Sequence, residues 1–212
     1  MKKLLVLVFG LLLAASAGAM ITIDLQADLL KKADGTPMPT SGLVILAAST
    51  SDTTFNAPTD TDFVSGDDII VKKWSLDSGY GAGIFEKSTG PISFSGNWGP
   101  DDPLQLYWYP SLTYDSAVPG AGTSYGQYRN NSAVDNSYVW FTPPDGFTVG
   151  LKFFTKDSIQ LYGTGLASNP AEAGLASQTT VPEPAAFATV SGLLCLMGAV
   201  AFKARRQKTR AA

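Results

Sequence analysis

Glycine and proline break residues 20–166 into short pieces, and no piece carries a convincing helical period. Turn-forming clusters stand at Asp34-Gly35, Gly66, Gly79 to Gly83, Gly90-Pro91, Gly99-Pro100, Pro119 to Gly122 and Pro143 to Gly146. Glycine reaches positive φ without steric cost and proline presets φ for a turn, so such clusters punctuate short elements. The stretches between them are rich in β-branched and aromatic residues. Ile21, Ile23 and Leu25 alternate with Thr22, Asp24 and Gln26; Leu104, Leu106 and Trp108 alternate with Gln105, Tyr107 and Tyr109; Phe147, Val149, Leu151 and Phe153 alternate with Thr148, Gly150, Lys152 and Phe154. A period of two is the half-buried strand pattern. Leu43 to Ala48 and Ile69 to Val71 run apolar without alternation, which predicts strands covered on both faces. No internal repeat is present, which argues against a solenoid or propeller. The pattern predicts an all-β domain over 20–166, an antiparallel β-sandwich or jelly-roll-like ectodomain.

The two ends read as addresses rather than as parts of that domain. Met1-Lys2-Lys3, an apolar run from Leu4 to Ala15 and the small-x-small site Ala17-Gly18-Ala19 make an N-terminal signal peptide over residues 1–19, with Met20 as the mature start. At the other end Val181-Pro182-Glu183-Pro184 precedes an uncharged segment, Ala185 to Phe202, and a tail of Lys203, Arg205, Arg206, Lys208 and Arg210. A helix over 185–202 would be about 27 Å long, close to the hydrocarbon thickness of a bilayer at about 30 Å. The cations after it keep the tail cytoplasmic and send the middle of the chain outward, the orientation a signal peptide also gives. Residues 167–180 are small and polar apart from Leu175 and read as a flexible linker.

Composition narrows the chemistry. All 18 acidic residues fall between Asp24 and Glu183, whereas seven of the 15 basic ones sit at the ends. The middle keeps eight basic against 18 acidic residues, a net charge of −10, which repels nucleic acid and anionic lipid. The chain has no histidine, and its one cysteine, Cys195, lies in the apolar tail. A Ser-His-Asp triad, a thiolate nucleophile and an intrachain disulfide are thereby ruled out for the ectodomain.

A Pro-Glu-Pro signature, one spanning helix over 185–202 and an arginine-rich tail over 203–210, in that order, resemble the PEP-CTERM sorting domain; the likeness covers roughly residues 181–210. The resemblance implies a secreted bacterial surface or extracellular-matrix protein, in hosts that make exopolysaccharide. Pro182, Glu183 and Pro184 would be the motif recognised by exosortase, a membrane-embedded transpeptidase. Proline fixes its own φ and biases its predecessor to extended conformations, so the motif is stiff and reachable just outside a membrane. More weakly, the turn at Gly35-Thr36-Pro37, the strand Gly42-Leu43-Val44-Ile45-Leu46 and Phe63-Val64-Ser65-Gly66-Asp67-Asp68 resemble ectodomains carried by such proteins, which bring no activity with them. The expectation is therefore a non-enzymatic protein without a cofactor, with exosortase and the membrane as partners and no nucleic acid.

Three features bear on chemistry. Asp60-Thr61-Asp62 with Asp67-Asp68 is the densest acidic stretch; calcium takes clustered oxygens, but the spacing matches no helix-loop-helix motif and aspartate also favours turns, so no residue is assigned to a metal. Glu86, Asp101, Asp102 and Asp115 are scattered carboxylates, whose separation decides whether glycoside hydrolysis is open to them. Ten aromatic residues lie between Trp98 and Phe141. Tyr107 and Tyr109 share the strand face opposite Leu104, Leu106 and Trp108. Exposed, with Asn130 or Asn131 nearby, they would form a candidate exopolysaccharide-binding face; the competing reading is that aromatic residues favour strands and fill the core.

Overall fold

Leu43–Ser49 has no exposed residue, which a strand achieves only in the interior of a sheet with both faces covered. The computed structural model describes residues 20–77, 79–129, 140–154 and 178–182. These form nine strands and no helix: β1 (Met20–Asp28), β2 (Leu43–Ser49), β3 (Asp68–Ser75), β4 (Phe85–Ser88), β5 (Ile92–Ser93), β6 (Leu104–Tyr109), β7 (Ser124–Tyr128), β8 (Thr148–Phe154) and β9 (Gln178–Thr180). The expected signal peptide over 1–19, the expected anchor over 185–202 and the basic tail with Lys203, Arg205 and Arg206 lie outside the described residues.

Five strands make an antiparallel sheet in the order β3-β2-β6-β7-β9. The smaller sheet is built on β1. Its first residues pair with β5 and its last with β4, both antiparallel, while β8 runs along the opposite edge from Thr22↔Thr148 to Asp28↔Phe154. That last pairing is parallel, a departure from the antiparallel pairing expected throughout. Parallel neighbours need a long crossover, and here the chain between β1 and β8 supplies β2 to β7 before it returns.

The period of two on β1 now has its cause. Ile21, Ile23 and Leu25 point into a core shared with Phe85, Leu151 and Phe153 of the same sheet and with Val44, Leu46, Leu104, Leu106 and Trp108 of the larger one. Each such side chain removed from water contributes roughly 1.5–3 kcal/mol. Trp108 stands at the centre. Its indole stacks on Phe153 and its Nε1 donates to the Lys31 carbonyl at 2.9 Å. Across the ladder Trp108 faces Gly126, and a Cβ there would lie 2.1 Å from the indole Cε2. Only glycine lets the ring lie flat against the β7 backbone.

Ile69 to Val71 departs from the expectation of cover on both faces. β3 is an edge strand with one neighbour, so Ile70 is exposed while Ile69 and Val71 are only partly buried. A bulge between Leu46 and Ala47 in its pairing with β2 absorbs one residue. Ile69 and Trp74, five apart, therefore both reach the inner core, which an unbroken alternation forbids.

Candidate functional site

Strand β6 is buried on both faces. The face opposite Trp108 carries Tyr107 and Tyr109, joined by Leu43, Ile45, Ala47 and Tyr125 and covered by Phe63 and Val181, with Phe55, Val64 and Leu112 at the margin. Tyr109 stacks on Tyr125 at 5.6 Å and receives the edge of Phe63 at 5.2 Å. Both Tyr107 and Tyr109 are 0% exposed. The structure thus corrects the idea of an open aromatic platform: the loops after β2 and β6, together with Val181, form a third layer over these rings, and no ring face is left for a sugar. Asn130 and Asn131 lie outside the described residues.

The Tyr107 hydroxyl donates weakly to the Asn56 carbonyl at 3.4 Å, and the Tyr109 hydroxyl has no hydrogen-bond partner. Burial pushes both hydroxyls above the ordinary tyrosine range; for Tyr107 the charge of Asp68 adds to the effect. The folded state therefore holds protons that the unfolded chain releases near pH 10. Their contribution is whole below about pH 10 and is lost as pH rises beyond it, by up to about 1.4 kcal/mol per pH unit for each tyrosine. Urea unfolding at about pH 9 and about pH 11 should show that fall, and a Tyr107→Phe, Tyr109→Phe double variant should flatten it. An equally steep decline in the double variant would mean that other groups carry the effect.

Val181 seals this second cluster and is 1% exposed. It is held by two backbone bonds, Gly122 N donating to its carbonyl at 3.0 Å and its own N donating to the Thr123 carbonyl at 2.9 Å. Just before it, Gln178–Thr180 adds a strand to β7. Residues 178–180, expected to close a flexible linker over 167–180, are instead a strand, and Val181 is packed into the body; residues 167–177 lie outside the described residues. The β-branched run Thr179-Thr180-Val181 was the signal in the sequence. Pro182 follows at once and is exposed; Glu183 and Pro184 lie outside the described residues. Gly122 and Thr123 also line an open groove of about 550 Å³, whose charges are Lys32 and Asp34, paired at 3.4 Å.

No known protein family, curated protein or solved structure matches the chain.

Three of the four scattered carboxylates have a local partner. Glu86 accepts from Gln26 Nε2 on β1 at 3.0 Å, Asp102 accepts from the Gly99 N–H at 2.7 Å, Asp101 sits in a turn at positive φ, and Asp115 lies beside Lys73. No described hydrogen bond joins two of them. Asp62 belongs to a turn in which its N–H donates to the Thr59 hydroxyl and its carboxylate accepts from Thr61. Among the described residues no three His, Cys, Asp or Glu side chains stand together as a metal centre.

Asp67 and Asp68 differ from the rest. The turn that delivers them needs Gly66, at φ +68, where a Cβ would meet Asn56 Nδ2 at 2.5 Å. Asp67 Oδ2 accepts from the Ser51 N–H at 2.8 Å and from Ser49 Oγ at 3.1 Å. Asp68 is 7% exposed; its Oδ2 accepts from the Asn56 N–H at 2.7 Å, while its Oδ1 is buried without a partner. Burial raises the Asp68 carboxyl above the usual range against the pull of that N–H, and the Asp67 charge adds to the rise. Arg129 braces the same loop, donating to the Thr53 carbonyl and lying over the Phe55 ring.

Proposed function

We propose that this chain is an exported surface or extracellular-matrix protein, without enzymatic activity, that is recognised at Pro182-Glu183-Pro184 by an exosortase-type transpeptidase. The observation that carries the reading is the order of parts: a signal peptide, an acidic all-β body, Pro-Glu-Pro, an uncharged segment long enough to span a bilayer, and a basic tail. The body is a β-sandwich thickened by a layer of loops. It is displayed on the outer side, held by a helix over 185–202 whose Lys203, Arg205 and Arg206 stay on the cytoplasmic side.

The folded part supports this in two ways. Its all-β architecture, with the rings turned inward, suits a stable displayed body. Val181, the last buried side chain among the described residues, is followed directly by an exposed proline, which suits a motif read by another protein. A sugar-binding platform at Tyr107 and Tyr109 is not part of the reading, because both rings lie inside.

The test is replacement of Pro182, Glu183 and Pro184 by alanine in the native host. The variant is expected to accumulate as a larger, membrane-bound form, and mass spectrometry of the wild-type C-terminus is expected to place processing at or next to the motif. Identical mature mass and location for variant and wild type would remove the reading.

A further inference from the structure

The Ser49 hydroxyl stands among more acceptors than it can serve. It is fully buried and lies 3.1 Å from the Asp52 carbonyl, 3.4 Å from Asp52 Oδ1, 3.3 Å from the Thr54 carbonyl and 3.1 Å from Asp67 Oδ2. A hydroxyl has one proton. It can satisfy one of those four oxygens, and the other three then face it, lone pair to lone pair. Backbone N–H groups relieve two of the oxygens, Asp52 Oδ1 and Asp67 Oδ2; a positive charge among them would relieve the rest.

We propose that Ser49 Oγ, the Asp52 carbonyl and carboxylate, the Thr54 carbonyl and the Asp67 carboxylate form a calcium-binding site. Hard cations take six to eight oxygens and accept carbonyls and hydroxyls as readily as carboxylates, so three acidic side chains are not required. All four oxygens lie 3.1–3.4 Å from Ser49 Oγ, so one ion could touch the hydroxyl and its neighbours together. Calcium accepts such an irregular mixed-oxygen shell, whereas magnesium demands a near-ideal octahedron.

A second observation points the same way. Asp68, next in the chain, keeps one carboxylate oxygen buried and unpartnered, and its carboxyl faces the Ser49 hydroxyl. A buried carboxylate oxygen without a donor costs several kcal/mol unless a charge compensates it. A cation beside Ser49 supplies that charge. The two carboxylates among the proposed ligands, Asp52 and Asp67, match the charge of a divalent ion.

The site is prepared rather than formed on demand. The Thr54 N–H fixes Asp52 Oδ1 at 2.6 Å, the Ser51 N–H fixes Asp67 Oδ2 at 2.8 Å, and the Thr50 hydroxyl holds the Asp67 carbonyl at 2.8 Å. Asp52 and Thr54 are exposed and Ser49 is buried, so an ion enters from solvent and settles against the end of β2. The inference does not depend on the sorting motif.

Isothermal titration of the full chain with calcium chloride, after stripping with a chelator, is expected to show one site per chain with Kd on the order of 0.1–1 mM, the range of extracellular calcium modules. Calcium should also raise the thermal midpoint, since it binds the folded state. Asp52→Asn and Asp67→Asn should each weaken binding about tenfold or more, and Asp60→Asn should leave it unchanged. Asp52 is exposed, so that variant remains informative if Asp67→Asn does not fold. Neither heat nor a shifted midpoint at about 10 mM calcium, or wild-type affinity in Asp52→Asn, would overturn the proposal.

Discussion

Trp108→Ala is expected to lower the unfolding free energy by about 3–5 kcal/mol, the usual cost of removing a large buried aromatic side chain. The indole is 2% exposed and sits where the two sheets meet. Truncation removes its stack on Phe153 and opens a cavity whose walls belong to different sheets, so the site cannot collapse by a local shift. It also strips the Lys31 carbonyl of its donor. Denaturant unfolding monitored by far-ultraviolet circular dichroism reads the loss. Tyr114→Ala, at a ring 56% exposed, is the comparison and should stay within about 0.5 kcal/mol. A loss at Trp108 as small as that of Tyr114 would mean that the sheets do not meet there.

Gly126→Ala is expected to cost about 1–3 kcal/mol for a single added methyl. The new Cβ would stand 2.1, 2.2 and 2.5 Å from Cε2, Cζ2 and Nε1 of the Trp108 indole. No rotamer change in alanine relieves this, so the indole or the β7 backbone must move. The signature is coupling. In a Trp108→Ala background the opposing atoms are gone, and the methyl partly fills the space they leave. The second substitution should then cost less than it does alone, by about 1 kcal/mol or more, which a double-mutant cycle measures. Additive costs would show that the methyl offends the backbone rather than the ring.

Much of this architecture was legible in the sequence, and the failures have identifiable causes. Alternation at Ile21, Ile23 and Leu25 and the apolar run Leu43 to Ala48 gave the right strands because one-sided and two-sided burial leave different periods. The same logic failed at Ile69 to Val71, where a bulge and an edge position put apolar residues on a strand with a single neighbour. At Tyr107 and Tyr109 alternation placed the rings on a shared face correctly, but what covers that face comes from distant loops and from Val181, and periodicity within one strand carries no information about a third layer. The parallel return of β8 was hidden for a similar reason: direction relative to β1 depends on where the chain has travelled in between. At Ser49 the run Ser49-Thr50-Ser51-Asp52-Thr53-Thr54 reads as an ordinary polar loop. Its oxygens converge only because the turn at Gly66 brings Asp67 back beneath it, and half of them are carbonyls, which no residue type announces.

The attachment of β9 has a mechanical meaning for the proposed processing. Since Val181 is clamped and the next residue begins the motif, a transpeptidase that grips Pro182-Glu183-Pro184 finds no slack on the upstream side. Such an enzyme would have either to admit a bulky body to its doorstep or to peel a three-residue strand from β7. Peeling proceeds from an end and breaks only a short ladder, so it belongs to the low-energy local openings of a folded protein and leaves the main core intact. On the proposed processing, β9 would work as a latch, and how often it lifts would set the pace at which a fully folded passenger is handed over.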